Sequence, residues 1–191
     1  SVHEACKRLC ETESDCLRRC VSHAELMELK ADLIHAATDF TSSVDNRLKV
    51  LRSGANLEIL SLCRSTGWSL ENMLICLRSY PTPELIKECK NLSPLQEEQV
   101  RCVRSGKSTA EVEACSLLFV GADQRLRCLE MAVTAQETRT CRAAGGNSTS
   151  RMNCLNQVLG ERLEETMQVE LEARKREARE KELRVPASQR N

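Results

Sequence analysis

The chain has 191 residues, of which 28 are basic and 28 acidic, so it carries no net charge. That balance argues against a nucleic-acid binder, and 2% aromatic residues leave almost nothing on which bases could stack. Twelve cysteines, an even number, predict structural disulfides and an oxidising compartment.

The first element is built on Cys6, Cys10, Cys16 and Cys20. Each Cys-x3-Cys step places its two cysteines one helical turn apart on the same face. Two such turns, facing each other across Glu11–Asp15, would pair as Cys6–Cys20 and Cys10–Cys16, a locked helical hairpin over residues 1–22. This stretch resembles the twin CX3C and CX9C helical hairpins of the mitochondrial intermembrane space, with a shorter segment between the inner cysteines than those families use. The resemblance implies a shared means of stapling two helices, not kinship. His3 and His23 near these cysteines leave a second reading, soft ligands for copper or zinc. Helical-hairpin spacing and the eight further cysteines favour oxidation over that reading.

Residues 23–160 carry an internal repeat. Cys63, Cys76, Cys89, Cys102, Cys115, Cys128, Cys141 and Cys154 follow one another every 13 residues. A fixed short period is the signature of an array of small units, not of an enzyme with one pocket. Six residues after the cysteine stand Ser69, Thr82, Ser108, Thr134 and Asn147, all N-cap residue types. Glu111 and Glu137 complete capping boxes, and Pro83 takes a first helical position. Gly67, Gly106 and Gly145, four residues after the cysteine, suit the left-handed end of a helix. Each unit is therefore one short helix and a turn, marginal alone and in need of packing or stapling.

The true repeat is two helices long. Two residues before the cysteine the chain reads Ser61, Leu74, Lys87, Val100, Glu113, Leu126, Arg139 and Met152, alternating polar and apolar. One residue after it, Arg64, Leu77, Lys90, Val103, Ser116, Leu129, Arg142 and Leu155 alternate in the same phase. Odd and even helices thus present different faces to the core, and the repeat is a 26-residue helical hairpin. Counting back reaches Val50 and Ala37, around which Leu48 and Leu51 are apolar and His35 and Thr38 polar. This adds a fifth hairpin with both cysteines missing together. Pairing within hairpins, Cys63–Cys76, Cys89–Cys102, Cys115–Cys128 and Cys141–Cys154, then leaves no orphan, whereas pairing between hairpins would strand Cys63 and Cys154. The expected fold is an all-α, disulfide-stapled α-solenoid of about five hairpins.

Residues 161–184 are almost wholly charged and predict a solvated helix with Glu170/Arg174, Glu172/Arg176, Glu177/Lys181 and Glu180/Arg184 in the supporting i,i+4 orientation. Leu159, Leu163 and Met167 form a short apolar stripe expected to cap the last hairpin, and Leu171 and Leu183 are too sparse for a coiled-coil seam. Residues 185–191 read as a loose tail.

No catalytic constellation, phosphate loop or HExxH can be assembled, so neither enzymatic activity nor a resident metal or cofactor is expected. His35 sits on an outward position and reads as a surface residue. No run of eighteen apolar residues is present, hence no transmembrane helix is expected. The chain opens at Ser1 without an apolar leader segment, so any export signal is expected to have been removed or to lie outside this sequence. One surface feature stands out: Arg52, Arg78 and Arg104 fall two residues after the cysteine position in successive even helices, beside Ser53, Ser79 and Ser105. They form either a basic strip for an acidic protein partner or last-turn cations that complement the helix dipole and bond its final carbonyls. The expectation is a non-enzymatic interaction or scaffold protein, periplasmic or secreted, with the mitochondrial intermembrane space as the alternative location. The alternative function is copper or zinc binding by the N-terminal cysteines.

Overall fold

A computed structural model describes residues 1–184; the tail expected over residues 185–191 lies outside them. The described chain is all-helical. It runs α1 (Val2–Cys10), α2 (Ser14–Leu26), α3 (Ala31–Phe40), α4 (Val44–Arg52), α5 (Leu57–Arg64), α6 (Leu70–Ser79), α7 (Pro83–Leu92), α8 (Gln96–Arg104), α9 (Thr109–Leu118), α10 (Ala122–Glu130), α11 (Ala135–Ala143) and α12 (Ser148–Arg184). Local chemistry sets these limits. Ser43, Asn56, Ser69, Thr82, Ser108 and Thr134 each accept a hydrogen bond from a first-turn backbone N–H, and Asn147 does the same for α12. Both expected capping boxes are closed. At the end of α6, Tyr80 adopts the left-handed conformation with φ 47°. Its hydroxyl donates to the carbonyl of Gly54 in the preceding hairpin, a contact that helps to hold a non-glycine residue there.

Consecutive helices pair as hairpins, and the hairpins stack in two layers. In the odd layer α1 packs on α3, α3 on α5, α7 on α9 and α9 on α11; in the even layer α4, α6, α8 and α10 follow one another. The alternation in sequence becomes burial. Leu48, Leu51, Leu77, Val100, Val103, Leu126, Leu129 and Leu155 of the even helices are buried, whereas Ser61, Arg64, Lys87, Lys90, Glu113, Arg139 and Arg142 of the odd helices are exposed. Odd helices instead bury the residue three before the cysteine position, namely Ile34, Leu60, Ile86, Val112 and Thr138. In the first odd helix Thr38 is buried as well, its hydroxyl satisfied by donation to the carbonyl of Ile34 at 2.8 Å. His35, read from sequence as a surface residue, is half-buried.

Six bridges run through this core: Cys6–Cys20, Cys10–Cys16, Cys63–Cys76, Cys89–Cys102, Cys115–Cys128 and Cys141–Cys154. Each lies within one hairpin. In the α3–α4 hairpin the equivalent positions are Ala37 and Val50, both buried. The N-terminal locked hairpin extends to Leu26, and its α1 is packed on α3 as the first rung of the stack.

The C-terminal end departs from expectation in two ways. The charged helix expected over residues 161–184 is not separate from the second helix of the last hairpin; the two form one 37-residue helix, about 55 Å long at ~1.5 Å per residue. The apolar stripe does not cap the hairpin. Leu159 packs against the core, but Leu163 and Met167 are 56% and 70% exposed because α12 has by then left the body of the stack. Its base is fixed where Arg162 donates to the carbonyl of Ala132 and lies 3.5 Å from Glu137.

Candidate functional site

The even layer ends in a row of helix C-termini, and the arginine strip lies along it. Arg52 and Arg104 are the last residues of α4 and α8, and Arg78 is the penultimate residue of α6. All three side chains are exposed, and among the described residues none makes a hydrogen bond or an ion pair. The negative end of each helix dipole favours a cation there, but the guanidinium groups do not bond the final carbonyls. In α4 and α8 that task falls to the neighbouring serines, whereas Ser79 bonds a carbonyl one turn back inside α6. Ser53 donates to Val50 at 2.6 Å, Ser79 to Ile75 at 2.9 Å and Ser105 to Cys102 at 2.6 Å. The serine hydroxyls are therefore engaged in their own helices, and the arginines carry the exposed charge alone.

The strip ends at the next rung, where Glu130 occupies the equivalent position. Arg101 of α8 pairs with it across the rung boundary. Beside them, the amine of Lys107 donates to the carbonyl of Val133 and to Glu111, each at 3.2 Å. Burial raises the Glu111 carboxyl, but hydrogen bonds from the backbone N–H and hydroxyl of Ser108, with Lys107 beside it, outweigh this and hold it below the usual carboxylate value. In the second capping box the backbone N–H of Thr134 lowers Glu137, with burial opposing and Arg162 assisting.

A second arginine series is structural, and the sequence reading passed over it. Three residues before the cysteine position, even helices carry Arg47, Met73, Gln99, Arg125 and Arg151. Arg125 donates through Nε to the carbonyl of Phe119 at 2.8 Å and through Nη1 to that of Leu92 at 3.0 Å. It thus closes the ends of two successive odd helices. Arg47 repeats the pattern on Thr41 and Leu9, at 2.8 Å each, and adds an ion pair with Glu11. Arg151 reaches Leu118 at 2.7 Å. Gln99 bonds the carbonyl of Ser93 at 2.9 Å and accepts from the Trp68 indole at 2.8 Å. Cysteines staple each hairpin; this series straps one hairpin to the next.

The four N-terminal sulfurs are consumed in Cys6–Cys20 and Cys10–Cys16, and no cysteine is free. A disulfide offers no thiolate to a soft metal, and no cluster of metal-ligating side chains occurs among the described residues. The copper or zinc alternative is therefore not sustained. No helix among the described residues is long and apolar enough to cross a membrane.

Fold and bridges together define a disulfide-stapled α-solenoid suited to an oxidising environment. Comparison with known proteins finds no matching family model, no matching curated protein and no matching solved structure.

Proposed function

We propose that this chain is a non-enzymatic interaction or scaffold protein of a periplasmic or secreted setting, and that its even face holds an extended acidic segment of a protein partner along Arg52, Arg78 and Arg104. The observation carrying the reading is that these three cations recur every 26 residues on stacked rungs, exposed and without a partner among the described residues. Packed helices lie about 8–10 Å apart. A polyproline II strand rises about 3.1 Å per residue with three residues per turn, so acidic side chains at every third position would fall on successive rungs. The packing of α4 on α6 and of α6 on α8 holds the cations on successive rungs, which lowers the ordering entropy lost on binding.

The test is fluorescence anisotropy with a labelled peptide of repeated Glu-Pro-Pro triplets, against the oxidised wild type and the R52E/R78E/R104E variant. Saturable binding that weakens with salt and falls at least tenfold in the variant is the expected result. Equal affinity of both proteins for the peptide, or none for either, would sink the reading.

A further inference from the structure

The exposed part of α12 carries its charge in two blocks. Residues 161–172 hold five glutamates against Arg162 alone, whereas residues 173–184 hold six basic residues against three glutamates. The helix dipole accounts for only the second block, because its influence is confined to the terminal turns and residues 161–172 lie well inside a helix that begins at Ser148. Pairing within the helix accounts for little more. Glu172–Arg176 and Glu177–Lys181 approach at 3.9 and 3.1 Å, but Glu164, Glu170, Arg174 and Lys175 form no ion pair among the described residues.

One face of this helix repeats at the 3–4 spacing of a seam: Glu164, Met167, Leu171, Arg174, Ala178 and Lys181. All are exposed, Met167 by 70% and Leu171 by 52%. A twofold axis between Glu172 and Ala173 maps this face onto itself. Leu171 then lies opposite Arg174 of a second copy, Met167 opposite Ala178, and Glu164 opposite Lys181. A parallel arrangement would instead set Glu164 against Glu164 and Lys181 against Lys181.

We infer that α12 pairs antiparallel with α12 of a second copy of this chain, acidic half against basic half. The register brings residue 184 of one helix beside residue 161 of the other, where α12 leaves its own body next to Arg162. The two arms therefore overlap over residues 161–184 of each helix. Such an isologous interface satisfies twofold closure. Its apolar content is only Met167, Leu171 and Ala178 with the alkyl stem of Arg174, so ionic attraction supplies the orientation and the contact is sensitive to salt.

Sedimentation equilibrium of the oxidised full chain tests this at about 20 mM and about 0.5 M salt. The wild type is expected to be a dimer at the lower salt, with its dissociation constant rising at least tenfold at the higher. E164K/E170K alone and K175E/K181E alone are each expected to be monomeric with unchanged circular dichroism, and the fourfold exchange to restore the dimer. A wild-type monomer at low salt, a dimer that survives either double reversal, or a fourfold exchange that stays monomeric would overturn the inference. So would an arm that captures only a different protein.

Discussion

Ala37 and Val50 hold, in the α3–α4 hairpin, the two positions that the other four repeat hairpins fill with a bridged cysteine pair, and both are buried, at 0% and 1% exposure. The bridged pairs have Cα separations of 5.6–5.8 Å, within the usual range for a disulfide. A37C/V50C should therefore close a seventh bridge without disturbing the other six. Thiol titration should find no free sulfhydryl, and stability should rise by up to about 3 kcal/mol by the chain-entropy model, whose mechanism is disputed. Two free thiols in the oxidised variant would refute the expected equivalence of this hairpin with its neighbours.

The strap from Arg125 to Leu92 and Phe119 serves two carbonyls from two hairpins. R125M removes both hydrogen bonds from a charged donor and leaves the acceptors short of partners, so it should lower stability by about 2–3 kcal/mol. R78A, on an exposed side chain with no partner among the described residues, should change it by less than about 0.5 kcal/mol. Guanidinium unfolding of the oxidised proteins separates the two, and equal losses would show that the strap contributes nothing of its own.

Reduction should unfold the array. Four loops of 13 residues each contribute roughly 3 kcal/mol by the same model, together comparable with the whole stability of an ordinary domain. Trp68, only 6% exposed, provides the probe: its emission should shift to the red as helical circular dichroism falls in excess reductant. Retained helicity with an unchanged melting temperature would count against this account.

Acid should weaken the stack through its capping boxes. Glu111 and Glu137 have folded-state pKa values below the ordinary one. The stability they confer is complete above the unfolded value of about 4.3 and is lost as pH falls through the lower folded values. E111Q/E137Q should flatten the acid limb of a plot of melting temperature against pH while leaving its slope above about pH 6 unaltered. An acid limb as steep as that of the wild type would place the pH dependence elsewhere.

The repeat was legible because its marker, cysteine, sits at one fixed point of every later unit, and because Leu126 or Leu129 on an even helix and Glu113 on an odd one obey a strict polarity rule. The α3–α4 hairpin is legible through the polarity rule alone, in Leu48 and Leu51, because Ala37 and Val50 carry no cysteine. The straps were harder to see, since their acceptors are backbone carbonyls that the sequence does not mark, and Met73 and Gln99 interrupt the arginines. A signal existed three residues before the cysteine, where Ile34, Leu60, Ile86 and Val112 alternate with Arg47, Gln99 and Arg125 among others, in the opposite phase to the neighbouring column. Arg52, Arg78 and Arg104 are legible as last-turn residues, whereas the group that closes the last carbonyls is not, because both the arginines and the adjacent serines can donate; Ser53 and Ser105 do so. The continuity of α12 through Gly160 is not legible because the change of composition after that residue sets the charged segment apart from the last hairpin, whereas an exposed helix interior tolerates a glycine at about 1 kcal/mol.

The separation of covalent bridges within hairpins from hydrogen-bonded straps between them also has a mechanical meaning. Under tension along the chain, the segment between Cys115 and Cys128 cannot pay out, since its ends are tied at a Cα separation of 5.7 Å. Only the chain linking one bridge to the next can lengthen, after straps such as Arg125 and Arg151 let go. From Cys63 onward a pulled array would therefore yield rung by rung in short, bounded steps and re-form its rungs on release, behaving as a series of check-links instead of a thread that unravels.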